Sequence, residues 1–434
     1  MGSAPRSAFS LSGLRKDAYD SYQYFLNGLI MQVLVQKYGG TSLGTLERIS
    51  GVAKHIQDSL TESGCKLVVV VSAMGTYTDE LIQMGLSLNP SPPKREWDML
   101  LSAGERISAS LLSIALDRIG IRAVSLTGSQ SGILTDSVHG NARITQILGH
   151  RIRDELKEHN VIIIAGFQGV SPETKNVTTL GRGGSDLTAL ALALSLEAQG
   201  CEIYTDVPGV MSADPRKVPS AKKIPKLSWN IMGELASAGA GVVHHRAAVL
   251  AQKYKIPFEI RHSQFPKLIG TKIEGETMET PQVIAVTSKT DQALVRIAVQ
   301  APKLAGHLLT QGLHWLWKQE QSPCVYRSYP SEGHLLIEAI FDRAIVDAYL
   351  KFQDSQAKNA HGEILPKLVD EKLAVVTIVG VGFRQAPEIV QKALSVFGED
   401  LPQIFEVKDH SIVMTVSPEK EQVILQKLHT LFFG

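Results

Sequence analysis

From Val33 to Arg261 the chain alternates short unbroken apolar runs with stretches whose apolar positions recur at helical spacing. Val33 to Gln36, Leu67 to Val71, Ala123 to Leu126, Val161 to Ala165, Glu202 to Thr205 and Phe258 to Arg261 read as strands. Leu46 to Leu60, Trp97 to Ile119, Ala142 to His159, the stretch ending at Leu196, Trp229 to Ala240 and His245 to Tyr254 read as helices. Runs that stay apolar, rather than alternating, belong to strands covered on both faces, as in a parallel sheet. The pattern therefore predicts an α/β fold, a three-layer αβα sandwich with a mainly parallel sheet and ligands at the carboxyl ends of its strands.

After the polar stretch Glu274 to Gln282 the period changes. Val295 to Val299 and Val375 to Val379 alternate, each is followed by a proline-containing turn and a helix, and further strands come at Leu335 to Phe341 and Ser411 to Val416. Two βαββαβ modules in tandem fit this spacing. The expected division is an extension at 1–30, a main domain at 31–273, a linker at 274–282 and modules at 283–370 and 371–434. Neither module carries a catalytic constellation, which points to regulation or oligomerisation.

Candidate chemistry sits where strands end in glycine turns. Val177 to Leu196 reads as strand end, turn and buried helix: Gly181, Gly183 and Gly184 permit positive φ and close backbone approach, Arg182 adds a fixed cation, and Ser185 or Asp186 falls at the expected N-cap. Converging amides and a helix N-terminus favour an anion, a phosphate or a carboxylate. The turn has neither the P-loop pattern nor the dinucleotide pattern of glycines. A second turn, Lys37-Tyr38-Gly39-Gly40-Thr41-Ser42, places a lysine at a strand end, where it can reach phosphoryl oxygens as a point charge. A third strand ends in Ser72-Ala73-Met74-Gly75. Glu105 lies among Ala103, Gly104 and Ser108, a setting that suggests close packing and an ammonium partner. The Asp206 to Arg216 loop is held by two prolines and a glycine, and its Asp206, Asp214 and Arg216 are the polar contacts a nucleotide would use.

Composition narrows the partners. With 44 basic and 43 acidic residues the formal charge is +1, so no global field points to nucleic acid or an anionic membrane, and small molecules or further copies of the chain are expected. Cys65, Cys201 and Cys324 are scattered, which fits neither a disulfide framework nor a zinc site and suggests a cytoplasmic protein with no resident metal. No unbroken apolar run approaches the length needed to cross a bilayer. The first sixteen residues hold Arg6, Arg15 and Lys16 and no acid, a faint likeness to a transit peptide, although a helical arm ahead of a domain starting at Met31 is the better reading.

Taken together and in order, Lys37 to Ser42, Ser102-Ala103-Gly104-Glu105, Thr179 to Asp186 and Thr205-Asp206-Val207-Pro208-Gly209 resemble the aspartate kinases, over residues 31 to 434. The likeness includes two tandem ACT modules, the second showing Val379-Gly380-Val381-Gly382-Phe383-Arg384. The resemblance implies transfer of the ATP γ-phosphoryl group to the side-chain carboxylate of L-aspartate, giving 4-phospho-L-aspartate, the first step towards lysine, threonine and methionine. By similarity Lys37 bridges the phosphates, with Gly39, Gly40 and Ser42 in the first loop and Mg²⁺ carried by the nucleotide. Arg182 would clamp the substrate α-carboxylate, Glu105 its ammonium group, and Ser72, Thr78 and Ser185 would contact it. Asp186 would orient Lys37 and the reacting carboxylate, which makes Lys37 and Asp186 the expected catalytic pair. Gly183, Gly184, Thr205, Asp206, Met211, Asp214 and Arg216 fall on the nucleotide side.

Three departures qualify the likeness. Met211 replaces a tyrosine, and Gly241 replaces a lysine whose role could pass to Lys217 or Arg216. The effector elements of the ACT modules are altered at Ala301 to Gly306, Gly312 to Trp315 and Gly398 to Leu401. Weak or absent feedback by lysine or threonine follows. A homodimer or higher oligomer through the ACT modules is the expected assembly, and a catalytically weak amino-acid-binding or scaffold subunit of a hetero-oligomeric kinase is the alternative reading.

Overall fold

Val33–Tyr38 (β1) and Lys66–Val71 (β2) lie parallel with Lys37 opposite Val70, joined by the helix Leu46–Ser63 (α1). This is the expected βα unit, and the computed structural model repeats it. Residues 32–276, 280–299, 302–319, 321, 323–331, 334–359 and 364–434 are described; the extension at 1–30 and part of the expected linker lie outside them.

Helices Tyr77–Leu88 (α2), Lys94–Leu101 (α3) and Ala103–Arg118 (α4) follow, then strands Ala123–Leu126 (β3), Ile133–Thr135 (β4) and Ile144–Ile147 (β5), and helix His150–Glu158 (α5). Val161–Ala165 (β6), Gln168–Val170 (β7) and Val177–Thr179 (β8) lead into helix Gly184–Ser195 (α6). Gly200–Thr205 (β9), Lys226–Leu227 (β10), helices Trp229–Ser237 (α7) and His245–Tyr254 (α8), Phe258–His262 (β11) and Thr271–Ile273 (β12) complete the domain.

The main sheet has eight strands in the order β10-β12-β11-β9-β1-β2-β6-β3, all parallel pairings except β11 with β12. Val35, Val68, Val70, Ile162 and Ile164 pack on α6 and α8, while Leu67, Val69, Val71 and Ile163 pack on α1 and α4. Both faces are covered, which is why these strands have no polar alternation. The αβα sandwich is present as expected.

Three local expectations need correction. The stretch Ala142 to His159 is not one helix: Ile144, Thr145 and Ile147 favour the extended state, and Gly149, at φ 67°, interrupts the chain before α5. The helix read from Trp97 to Ile119 begins at Lys94 and is divided at Ser102, and α2 lies in a stretch outside the helices read from the sequence. Residues 94–118 together are long and apolar enough, by composition, to cross a bilayer. In the sequence Glu105 and Arg106 interrupt that stretch; in the fold Leu101, Glu105, Ala109, Leu112 and Leu116 are buried inside the domain.

The C-terminal part contains one six-stranded sheet, β14-β15-β13-β16-β18-β17. It is built from Gln282–Val299 (β13), helix Pro302–Lys318 (α9), Val325–Ser331 (β14), His334–Asp342 (β15), helix Val346–Asn359 (α10), Ile364–Val381 (β16), helix Pro387–Ser395 (α11), Phe405–Val407 (β17), Ser411–Val416 (β18) and helix Pro418–Phe433 (α12). β13 runs antiparallel to β16 along its length. Its second half packs Ala293, Val295, Ile297 and Val299 with Leu308 and Tyr349, whereas Val286 of its first half packs with Val376, Ile378, Met414 and Leu425. The two modules thus share their central strands, and a cut at residue 370 does not separate them.

Candidate active site

β1 sends alternate residues to opposite faces, so Lys37 shares the side of Val35, which faces α6, while Tyr38 is buried on the other. At the strand ends four segments converge. Gly39 N–H donates to the Tyr204 carbonyl at 3.2 Å, Ser72 N–H to Tyr38 at 3.1 Å, Gly75 N–H to Gly40 at 2.9 Å and Gly166 N–H to Val71 at 3.0 Å. A side chain on Gly40 would meet the Ala73 carbonyl at 2.9 Å, so only glycine lets the two loops close.

Lys37 Nζ lies 2.6 Å from Asp186 Oδ1, both side chains nearly buried. The contact is an ion pair without a directed hydrogen bond, since Oδ1 has no hydrogen-bond partner, and Asp186 Oδ2 accepts from His244 N–H at 3.4 Å. Gly181 and Gly183 adopt φ 79° and 66°, as the turn requires. Gly184 does not; there a Cβ would stand 3.0 Å from Leu180 and Phe167, so it serves close packing. Neither Ser185 nor Asp186 is the N-cap. The turn closes earlier, through Gly184 N–H to Gly181 at 3.0 Å, which makes Gly183 the cap and releases the Asp186 carboxylate for Lys37.

Glu105 stands in the first turn of α4 with 4% of its surface exposed. Ala73 N–H donates to Oε1 at 3.2 Å, and Oε2 is buried without a partner. Burial pushes its carboxyl up to about 7, against the opposing pull of backbone amides including that of Ala73. Gly104 packs so tightly on Ala73 that a Cβ would sit 2.7 Å from the alanine Cβ, which keeps water from the carboxylate. Ser42 Oγ is also buried and unpaired. Each such atom costs about 1–3 kcal/mol, a cost a ligand bearing an ammonium group and phosphoryl oxygens would remove.

The other expected site residues are distributed more widely. Ser185 is buried beside Gly166, Ser72 and Thr78 are half-buried, and Arg182 is exposed on its turn. Thr205, whose hydroxyl donates to Asp206 at 3.1 Å, ends β9 beside β1. Asp214 and Arg216 form an ion pair at 2.9 Å in which the guanidinium holds the Asp214 carboxyl below its ordinary value. Met211 bridges to Lys223 across a hairpin. Gly241 has φ 68°, and a Cβ there would make only ordinary contact with the Gly239 carbonyl at 3.9 Å. Lys217 does not replace the missing lysine there: its Nζ binds Glu421 at 2.9 Å and Ser288 at 3.0 Å in the C-terminal part.

Sequence reasoning missed Asp98 and Arg246. Asp98, fully buried on α3, accepts from Gly140 N–H at 3.1 Å and from the Thr179 hydroxyl, and contacts His139 Nδ1 at 2.6 Å. It ties the loop at 139–142 to the strand that feeds the glycine turn. The available signal was an acid at apolar spacing, three residues before Leu101.

A covered, mainly parallel sheet whose strand ends gather a lysine, its aspartate partner and glycine turns defines a class, the amino acid kinase fold. The model of the Amino acid kinase family matches residues 32–262. Aspartokinase of Geobacillus stearothermophilus is 39% identical over 415 residues, covering 93% of this chain and 97% of the relative. Aspartokinase 2 of Bacillus subtilis is 38% identical over 416 residues, covering 93% and 98%. The crystal structure of Escherichia coli aspartokinase III in complex with aspartate and ADP has the same fold, with a TM-score of 0.77 at 22% identity over 93% of this chain and all of that one. The chain belongs to the amino acid kinase family and, within it, to the aspartokinases.

Proposed function

We propose that the chain transfers the γ-phosphoryl group of ATP to the side-chain carboxylate of L-aspartate. The observation that carries this reading is the Lys37–Asp186 ion pair set beside the unpaired Oε2 of Glu105. The acceptor is already ionised, so no general base is needed. Catalysis consists of holding two anions in line and neutralising the charge that spreads over the transferring group. Lys37 supplies that cation, and Asp186 keeps it in place.

Glu105 receives the substrate ammonium group and Arg182 its α-carboxylate, a fork that selects an α-amino acid. Ser72, Thr78 and Ser185 complete the aspartate side; Gly39, Gly40, Ser42, Gly183, Gly184, Thr205, Asp206, Met211, Asp214 and Arg216 form the ATP side. Among the described residues no group of three or more Asp, Glu, His or Cys side chains converges on a metal position. In this reading Mg²⁺ comes with the nucleotide phosphates, where it neutralises charge. Assembly through the ACT modules and a cytoplasmic setting belong to the same reading.

The test is formation of aspartyl hydroxamate from ATP, aspartate and hydroxylamine with the pure protein. No product at millimolar substrates would overturn the reading, and nucleotide binding without turnover would move the chain to the scaffold alternative.

A further inference from the structure

Arg246 occupies an unfavourable place for a cation. It is the second residue of α8, a helix with no acid in its first turn and no side-chain cap, so its charge opposes the helix dipole. The guanidinium instead leaves the helix and binds the back of the glycine turn. Nη1 donates to the Leu180 carbonyl and, at 2.6 Å, to Asn141 Oδ1, while Nη2 donates to the Ala142 carbonyl at 2.8 Å. Ala142 N–H donates in turn to Thr179 at 2.9 Å. One planar fork thus fixes three acceptors, on the residue that enters the turn and on the loop hydrogen-bonded beside it.

Leu180 lies two residues before Arg182, and the glycines on either side of Arg182 both have left-handed backbone. Glycines move between conformations at little cost, so the position of the Arg182 side chain depends on what anchors the turn. The Leu180 N–H to Phe167 contact at 2.8 Å anchors one side of the residue, and Arg246 anchors its carbonyl.

We propose that Arg246 is a positioning residue for aspartate, acting through the glycine turn to hold Arg182 where it meets the substrate α-carboxylate; this rests on the proposed role of Arg182. The same node extends to the C-terminal part. Asn141, itself buried, donates from Nδ2 to the Trp317 carbonyl at 3.4 Å, and Arg143 stacks on the Trp317 ring with 3.9 Å from guanidinium carbon to centroid. A shift of Trp317, near the end of α9, therefore bears on the hydrogen bonds that set the turn.

The test is steady-state kinetics of Arg246→Lys, Arg182→Lys and the double variant, with thermal unfolding as a control. A lysine keeps the charge of Arg246 but cannot reach three acceptors in a fork. Arg246→Lys is expected to raise the aspartate KM roughly tenfold with the ATP KM within about twofold, the loss of one charge-assisted hydrogen bond at the turn. The double variant is expected to bind aspartate no worse than Arg182→Lys alone, because both changes act on one contact. Guanidinium ion added to Arg246→Ala is expected to lower its aspartate KM, which a role confined to folding would not produce. An unchanged aspartate KM in Arg246→Lys, equal rises in both KM values, or additive effects in the double variant would overturn the inference. An unchanged aspartate KM in Arg182→Lys would instead remove the role of Arg182 on which it rests.

Discussion

Replacing Glu105 by glutamine separates what this carboxylate does for binding from what it does to stability. In the folded protein burial raises it to about 7 from the ordinary value near 4.5. The unfolded chain thus releases this proton first, and between those two values the folded state holds more protons. Stability must fall as pH rises through that window, and the loss is complete above about pH 7. Because a tenfold change in proton affinity corresponds to about 1.4 kcal/mol, the full difference is about 3 kcal/mol, of which about 2 kcal/mol is crossed between roughly pH 5.5 and pH 8.5. Glutamine stands in for the protonated form: it can accept from Ala73 N–H and cannot ionise. Urea unfolding of both proteins across this range, without ligands, should show wild type losing about 2 kcal/mol relative to Glu105→Gln as pH rises. Kinetics should move the other way. In the proposed role the ionised form binds the substrate ammonium group, so wild-type kcat/KM for aspartate should rise through pH 7, whereas Glu105→Gln should lose roughly a hundredfold and the dependence on that ionisation. Parallel stability curves for the two proteins would refute the reasoning, because they would mean that ionising the buried carboxylate costs the folded state nothing.

Lys37→Met should lower kcat by roughly 10²–10³ and also lower Tm, because the nearly buried Asp186 carboxylate loses its partner, measured by hydroxamate formation and thermal unfolding; a loss of kcat below tenfold would count against the phosphoryl role. Gly241→Lys should cost about 1 kcal/mol in denaturant unfolding, since a Cβ there makes only ordinary contact with the Gly239 carbonyl and the left-handed backbone alone opposes it, and it should lower the ATP KM. Lysine or threonine at micromolar concentration should leave the rate unchanged, given the altered ACT positions; a sharp fall would contradict that reading of Gly312 to Trp315.

What the sequence disclosed and what it withheld divide along a physical line. Lys37, Gly39, Gly40 and the turn at 181–184 announce themselves because backbone demands are local: a strand end needs a turn, and a tight turn needs glycine. Glu105 was legible because the small residues around it leave no room for water. The buried strands declared the sandwich through unbroken apolar runs, and the same criterion failed at Ile144 to Ile147, where a strand in the smaller four-stranded sheet β5-β4-β7-β8 sets two polar residues between its isoleucines, a three-residue spacing that also fits a helix. Tertiary partners left no such mark. Nothing near Lys217 in the sequence indicates Glu421, more than two hundred positions away, yet that contact ties the lysine to the C-terminal part. Arg246 follows His244 and His245 and resembles any surface cation at a helix start. Only its unfavourable place against the helix dipole hints that another contact holds it there, and the acceptors, Leu180, Asn141 and Ala142, lie at least 66 positions earlier in the chain. In this protein local rules identify the groups proposed to touch substrate, and long-range contacts decide how firmly those groups are held. The kinetic consequences of the second set should therefore appear in aspartate affinity, with little change in the chemistry of transfer.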